Sequence, residues 1–254
     1  MKKRGEKQKR SQISVFIIIA IIIVAAIAVF FIVRENFSGI LKEKIAPEVQ
    51  QIYTFVEDCV RKTGENDVYY IGQTGGYFTS PNISTDYGIA YYYDKGNNLM
   101  PSETDIEKEL QDYMDFMLPF CTQTFSDYPD FNVKTSAAKT TAKIEEGKVV
   151  FNVVYPITVS KADKNYFFKN FENTEIPARL DRVYKLAYNI TQDTIKNKNN
   201  ICISCMNADA TDLDLYVEMN EHADNETMIF TIRDAKSTIF DADYRFIFAN
   251  RYDK

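Results

Sequence analysis

Hydrophobic residues fall along this chain in three successive patterns. The first is an unbroken apolar run, ISVFIIIAIIIVAAIAVFFIV, which begins at Ile13, ends at Val33 and holds Ser14 as the one polar side chain in 21 positions. At about 1.5 Å of rise per residue such a helix reaches roughly 31 Å, the hydrocarbon thickness of a bilayer. A buried core helix is seldom apolar all round, and a secretory signal peptide has a shorter apolar stretch followed by small residues. Phe30, Phe31, Ile32, Val33 and Arg34 close the run instead. The pattern predicts a transmembrane helix over residues 13–33.

The second pattern has helical spacing. Pro47 fits the first turn of a helix reaching about Lys62, with Ile52, Phe55, Val56, Cys59 and Val60 as its buried stripe and Thr63-Gly64 as its stop. Residues 68–71 and 88–93 then read as strands or strand edges around a Gly75-Gly76 turn. Pro101-Ser102 followed by Asp105 is a capping signal for a second helix lined by Ile106, Leu110, Tyr113, Met114 and Met117, which Pro119 ends or kinks. A third helix is predicted near Pro177, because Leu180, Val183, Tyr184, Ala187, Ile190 and Thr194 keep a 3-4 spacing.

The third pattern alternates with a period of two. Residues 132–144 and 148–159 flank the hairpin-length Glu145-Glu146-Gly147, residues 166–171 add a strand, and residues 212–219, 227–233 and 244–249 read as short strands. Helices interspersed with hairpins predict an α+β body of antiparallel sheet with about three helices covering one face. No fixed-period repeat or low-complexity linker divides residues 34–254.

Charge gives the apolar run a direction. Residues 1–11 carry six basic side chains and one acid, a net +5, whereas residues 34–254 carry 24 basic and 35 acidic residues, a net −11. The positive-inside bias therefore keeps a basic arm, residues 1–12, in the cytoplasm and sends residues 34–254 out as an extracellular domain. An acidic body is a poor partner for nucleic acid, whose polyanionic backbone is bound through Lys and Arg. The expected partners are membrane lipid, through residues 13–33, and proteins at the cell surface.

At the boundary, Lys9-Arg10-Ser11-Gln12-Ile13-Ser14-Val15-Phe16 resembles the class III signal of archaeal type IV pilin-like proteins. The resemblance implies cleavage between Ser11 and Gln12 and packing of the apolar helix into a filament. Ser11 stands where that family usually has Gly or Ala, and Phe16 where many members carry Glu. The wider layout is similar to archaeal single-pass membrane proteins with a basic start, a helix carrying Glu57-Asp58-Cys59, a Gly-Gly-Tyr turn and an Ile201-Cys202-Ile203-Ser204-Cys205 segment. That likeness implies no particular activity.

Candidate chemistry is sparse. The single histidine, His222, excludes a three-histidine zinc site, a HExxH protease site and a paired-histidine iron site; it lies in a polar stretch between two predicted strands and reads as a loop residue. No catalytic, cofactor-binding or metal-binding residue is expected. Asp209, Asp212, Asp214 and Glu218 lack the glycine of a calcium loop, since Leu215 occupies its place, and read as carboxylates on the wet face of a strand. The tyrosines between Tyr69 and Tyr93 read as cross-strand packing ahead of a carbohydrate or peptide surface. Asn82, Asn189 and Asn225 each begin a glycosylation sequon.

Cys59, Cys121, Cys202 and Cys205 make an even set, which on an exported body points to disulfides. Cys59 with Cys121 is favoured because each lies at a predicted helix end, and Cys202 with Cys205 if Ile203-Ser204 turns. On a straight strand, residues three apart face opposite ways and cannot bond. A zinc site usually offers two CxxC-like pairs, and a redox CxxC begins a helix in a βαβ setting; the sequence predicts neither. The expectation is a single-pass, membrane-anchored structural or interaction module at the cell surface, ahead of a pilin-like subunit cut before Gln12 and, last, an exported enzyme.

Overall fold

The helical and alternating patterns become four α-helices and nine strands among the described residues of the computed structural model, which are residue 23, residues 45–197 and residues 200–253. Among these no helix is long and apolar enough to cross a membrane. The predicted span over residues 13–33, apart from residue 23, lies outside the described residues, as do the basic arm and the Ser11-Gln12 processing site.

Helix α1, Gln50–Thr74, follows a 3-10 turn at Pro47–Val49 and runs through the predicted stop at Gly64. The glycine serves packing. A Cβ on Gly64 would sit 3.2 Å from Cδ1 of Ile176, and one on Gly72 would collide with the Arg245 carbonyl and the Tyr244 ring. Residues 68–71, predicted as strand, are therefore the last turns of a helix pressed onto sheet, with Val68 and Ile71 buried. The true stop is Gly75, at φ +72°, a left-handed conformation that glycine adopts without strain.

Helix α2, Glu103–Thr122, begins with the expected capping box: the Asp105 N–H donates to Ser102 Oγ at 3.2 Å and the Ser102 N–H to Asp105 Oδ2 at 2.9 Å. It passes through Pro119, where an end or kink was expected, because tertiary contacts hold its last turn. Thr122 Oγ1 donates to the Pro119 carbonyl at 3.1 Å and shares a 2.8 Å hydrogen bond with the Tyr155 hydroxyl, while Cys121 is bonded to Cys59 on α1.

The strands form two sheets, not the single sheet expected. In the first, β1 (Tyr91–Asp94), β2 (Asn97–Asn98), β7 (Tyr216–Glu221), β8 (Thr227–Ile239) and β9 (Ala242–Arg251) lie in the order β2-β1-β9-β8-β7, antiparallel except for the parallel β1–β9 pair. In the second, the long strand β5 (Lys148–Lys161) pairs with β6 (Lys164–Ile176) along one edge and with β3 (Asn132–Thr135) and β4 (Lys139–Glu145) along the other. Helix α3, Leu180–Asn197, follows β6 and packs, as α1 does, against strands of both sheets, so one continuous core forms. Core on both sides explains why Tyr91, Tyr92 and Tyr93 are all buried in β1 without alternation.

A fourth helix, α4, Ile203–Leu213, precedes the strand predicted over residues 212–219 and takes its first two positions. Cys202 caps its start and Asp214, in the left-handed region at φ +56°, caps its end, so strand begins only at Tyr216. The body is α+β, with antiparallel-rich sheets.

Candidate interaction surface

Helix α2 carries six acids, Glu103, Asp105, Glu107, Glu109, Asp112 and Asp115, against one base, Lys108. Tyr113, Phe116 and Phe120 recur on it at i, i+3 and i+7, one face of a helix. Phe116 stacks at a tilt on Phe120 with ring centroids 5.5 Å apart and meets Phe78, from the loop after α1, at 5.8 Å. Phe78 lies edge-on to Tyr113 at 5.1 Å, and Tyr113 reaches Tyr70 on α1 at 5.7 Å. The five rings make a continuous ridge in which Phe116 is 58% and Phe120 52% exposed. The loop is held in place because the Phe78 N–H donates to Glu109 Oε2 at 2.8 Å. Contiguous exposed aromatics mark interaction sites, since leaving them wet forgoes burial worth roughly 1.5–3 kcal/mol per large side chain. Acids beside exposed rings suit a cationic partner surface.

The ridge stands on a rigid pair of helices. The Cys59–Cys121 disulfide joins α1 to α2 with its Cα atoms 5.7 Å apart. Cys202–Cys205 forms at the head of α4, where the turn required for that pairing is the first turn of a helix. Among the described residues no cysteine is free. Asp193 on α3 brings a carboxylate oxygen within 4.8 Å of both Cys202 and Cys205 sulfurs, but sulfurs bonded to each other offer no thiolate to a metal.

His222 lies in the β7–β8 turn, as expected, with Nε2 3.0 Å from Asp86 Oδ1 and Nδ1 3.6 Å from Asp224 Oδ1. Burial raises the Asp224 pKa, but the Thr227 hydroxyl, the Glu226 and Thr227 N–H groups and His222 outweigh it and hold the carboxyl at about 2. Thr227 Oγ1 is itself engaged, donating to Asp224 Oδ2 at 2.7 Å and lying 3.0 Å from the Tyr91 hydroxyl. This network ties the Asp86 loop to the hairpin.

The acidic run divides between elements. Asp209 and Asp212 lie on α4 and Asp214 caps it, paired with Lys236 and with Arg179, so the strand-face reading is corrected for these three, while Glu218 is exposed on β7 as expected. The tyrosines divide too: Tyr91, Tyr92 and Tyr93 are core, whereas Tyr69 and Tyr70 are half-wet on α1 and Tyr87 is exposed in a loop. Asn82 and Asn225 are exposed; Asn189 sits mid-helix on α3, where its sequon's Thr191 is buried and donates to the Ala187 carbonyl at 2.8 Å.

Two buried groups escaped the sequence reading. Asp67 is wholly buried on α1 with neither carboxylate oxygen hydrogen-bonded among the described residues, and that burial pushes its pKa well above the usual carboxylate range. Its position was legible, since Val56, Val60, Thr63, Asp67 and Ile71 form one stripe once the helix is extended past Gly64. Arg179, just before α3, grips the buried Asp234 of β8 through Nε at 2.9 Å and a second guanidinium nitrogen, and donates to the Asp214 carbonyl at 3.0 Å. Burial raises the Asp234 pKa, yet Arg179, Ser237 and the Lys236 N–H overcome it, and the carboxyl sits below its ordinary value. No family model, curated protein or solved structure matches the chain.

Proposed function

We propose that the chain is a single-pass, membrane-anchored interaction module whose body, residues 34–254, faces the cell exterior and docks a cationic, apolar segment of another surface protein on the α1–α2 aromatic ridge. The observation that carries the docking is the ridge itself: exposed Phe116 and Phe120 on a helix whose exposed charges are Glu103, Asp105 and Asp112 against Lys108, Glu107 being buried and paired with Lys143. Export is supported by the apolar run behind a +5 arm, and by the pairing of every described cysteine. A filament subunit is the second reading, favoured by Lys9-Arg10-Ser11-Gln12 directly before the uncharged run.

Intact cells test both. Protease added outside should digest the body and leave the basic arm protected, and the mature N-terminus should lie near Met1; an N-terminus at Gln12 selects the filament subunit. An uncut body in intact, protease-accessible cells overturns export. Phe116→Ser with Phe120→Ser should leave the denaturation midpoint unchanged and abolish the surface complex seen after cross-linking. A complex that survives the double change places docking elsewhere.

A further inference from the structure

A redox role for Cys202-Ile203-Ser204-Cys205 was not expected because a helix start in a βαβ setting was absent from the sequence pattern, and α4 in fact stands between α3 and β7. The structure supplies the helix. Cys202 is the N-cap of the 11-residue α4, and its Sγ accepts the Cys205 N–H at 3.3 Å, with Ser204 Oγ 3.6 Å away. Helix starts favour negative charge, so a thiolate released on Cys202 is met by an N–H donor and a helix dipole already in place, which offset the Asp193 carboxylate within 4.8 Å of its sulfur. Cys205 is exposed and open to attack. Beside the pair a small hollow of about 20 Å³, room for roughly one water, is lined by residues including Asn189, Asp193, Met206 and Asp209. The disulfide spans only three positions.

The geometry points to Cys202–Cys205 as a thiol–disulfide exchange site that oxidises a neutral or basic dithiol. The site is distinct from the aromatic ridge. A partner thiolate attacks Cys205 Sγ; the Cys202–Cys205 bond breaks and its electron pair leaves on Cys202 Sγ. The partner's second thiolate then attacks its own sulfur in the mixed disulfide, and the electron pair leaves on Cys205 Sγ. Two electrons pass from the dithiol to this chain, and the two protons lost by the partner's thiols are matched by two gained on Cys202 and Cys205. The carboxylates of Asp193 and Asp209 in the hollow repel anionic thiols and set the partner's charge.

The test uses the full-length oxidised protein. Brief treatment with cysteamine, followed by iodoacetamide and peptide mapping, should find Cys202 alkylated and Cys205 carrying cysteamine; the reverse labelling overturns the order of attack. Under native conditions dithiothreitol should reduce Cys202–Cys205 at least about tenfold faster than Cys59–Cys121, because rate follows access and leaving-group stability. Equal rates overturn the site. At equal thiolate concentration cysteamine should outpace glutathione, and the opposite order overturns the choice of partner. Finally, one equivalent of a reduced, basic dithiol peptide should be oxidised per chain, and Cys202→Ser with Cys205→Ser should abolish this. Equal oxidation by the double variant overturns the proposal without reference to its folding.

Discussion

Cys59–Cys121 and Cys202–Cys205 are the same covalent bond in opposite settings. The first joins two helices across 62 positions, and Cys59 is 2% exposed within the core. The second joins neighbours three positions apart in the first turn of one short helix, with Cys205 in water. A crosslink stabilises mainly by what it denies the unfolded chain, so the long loop gains more from closure than the short one. What the short pair lacks in constraint it has in access. One bond maintains the platform under the aromatic ridge; the other is free to react without taking the platform apart.

The comparison breaks first at the long crosslink. Loop-closure entropy for a 62-position separation gives about 4 kcal/mol, to which loss of packing at the buried Cys59 adds. Cys59→Ala with Cys121→Ala should therefore lower unfolding free energy in chemical denaturation by about 4 kcal/mol. An unchanged midpoint would mean that α1 and α2 are held by side-chain packing alone.

The same helix pair holds a cost that pH exposes. Folded Asp67 keeps its proton to a higher pH than the unfolded chain does, because burial raises its pKa. Stability then falls as pH climbs above the unfolded value, by about 1.4 kcal/mol per unit, until the folded pKa is reached. Asp67→Asn removes that slope. The variant should gain on the native protein progressively as pH rises above the unfolded carboxyl's range, while Asp224 and Asp234, both held low, contribute alike to each and cancel. Parallel stability curves would show that Asp67 is ionised in the folded state.

Much of this division was legible before the fold was known. The Ser102/Asp105 cap, the Leu180 to Thr194 stripe and the Glu145-Glu146-Gly147 hairpin each rest on local spacing, and local spacing decided them. Gly64 misled because an interior glycine reads as a stop unless the sheet it must approach is known. The strand expected from Asp212 is there but starts at Tyr216, because alternation over so few residues is shared by a helix end, a left-handed cap and a strand start. The aromatic ridge was invisible for a further reason: Tyr70, Phe78 and Phe116 come together only through tertiary packing.

The smallest effect is expected at the short crosslink, and it separates capping from crosslinking. A three-position loop restricts the unfolded chain less than half as much as the long one, so replacing both Cys202 and Cys205 should cost about 2 kcal/mol provided the cap survives. Serine at 202 preserves it, since a hydroxyl oxygen can accept the N–H of residue 205 as the sulfur does. Alanine at 202 leaves that donor without its acceptor and should cost about 1 kcal/mol more, the usual value of an N-cap. Denaturation midpoints of Cys202→Ser/Cys205→Ser and Cys202→Ala/Cys205→Ser, taken side by side with the oxidised protein, resolve the two contributions. If the serine variant loses as much as removal of Cys59–Cys121 does, the short bond is structural and the contrast between the two disulfides fails. If serine and alanine are equal, α4 takes its start from packing of Met206 and Ala210 and owes nothing to the sulfur at its head.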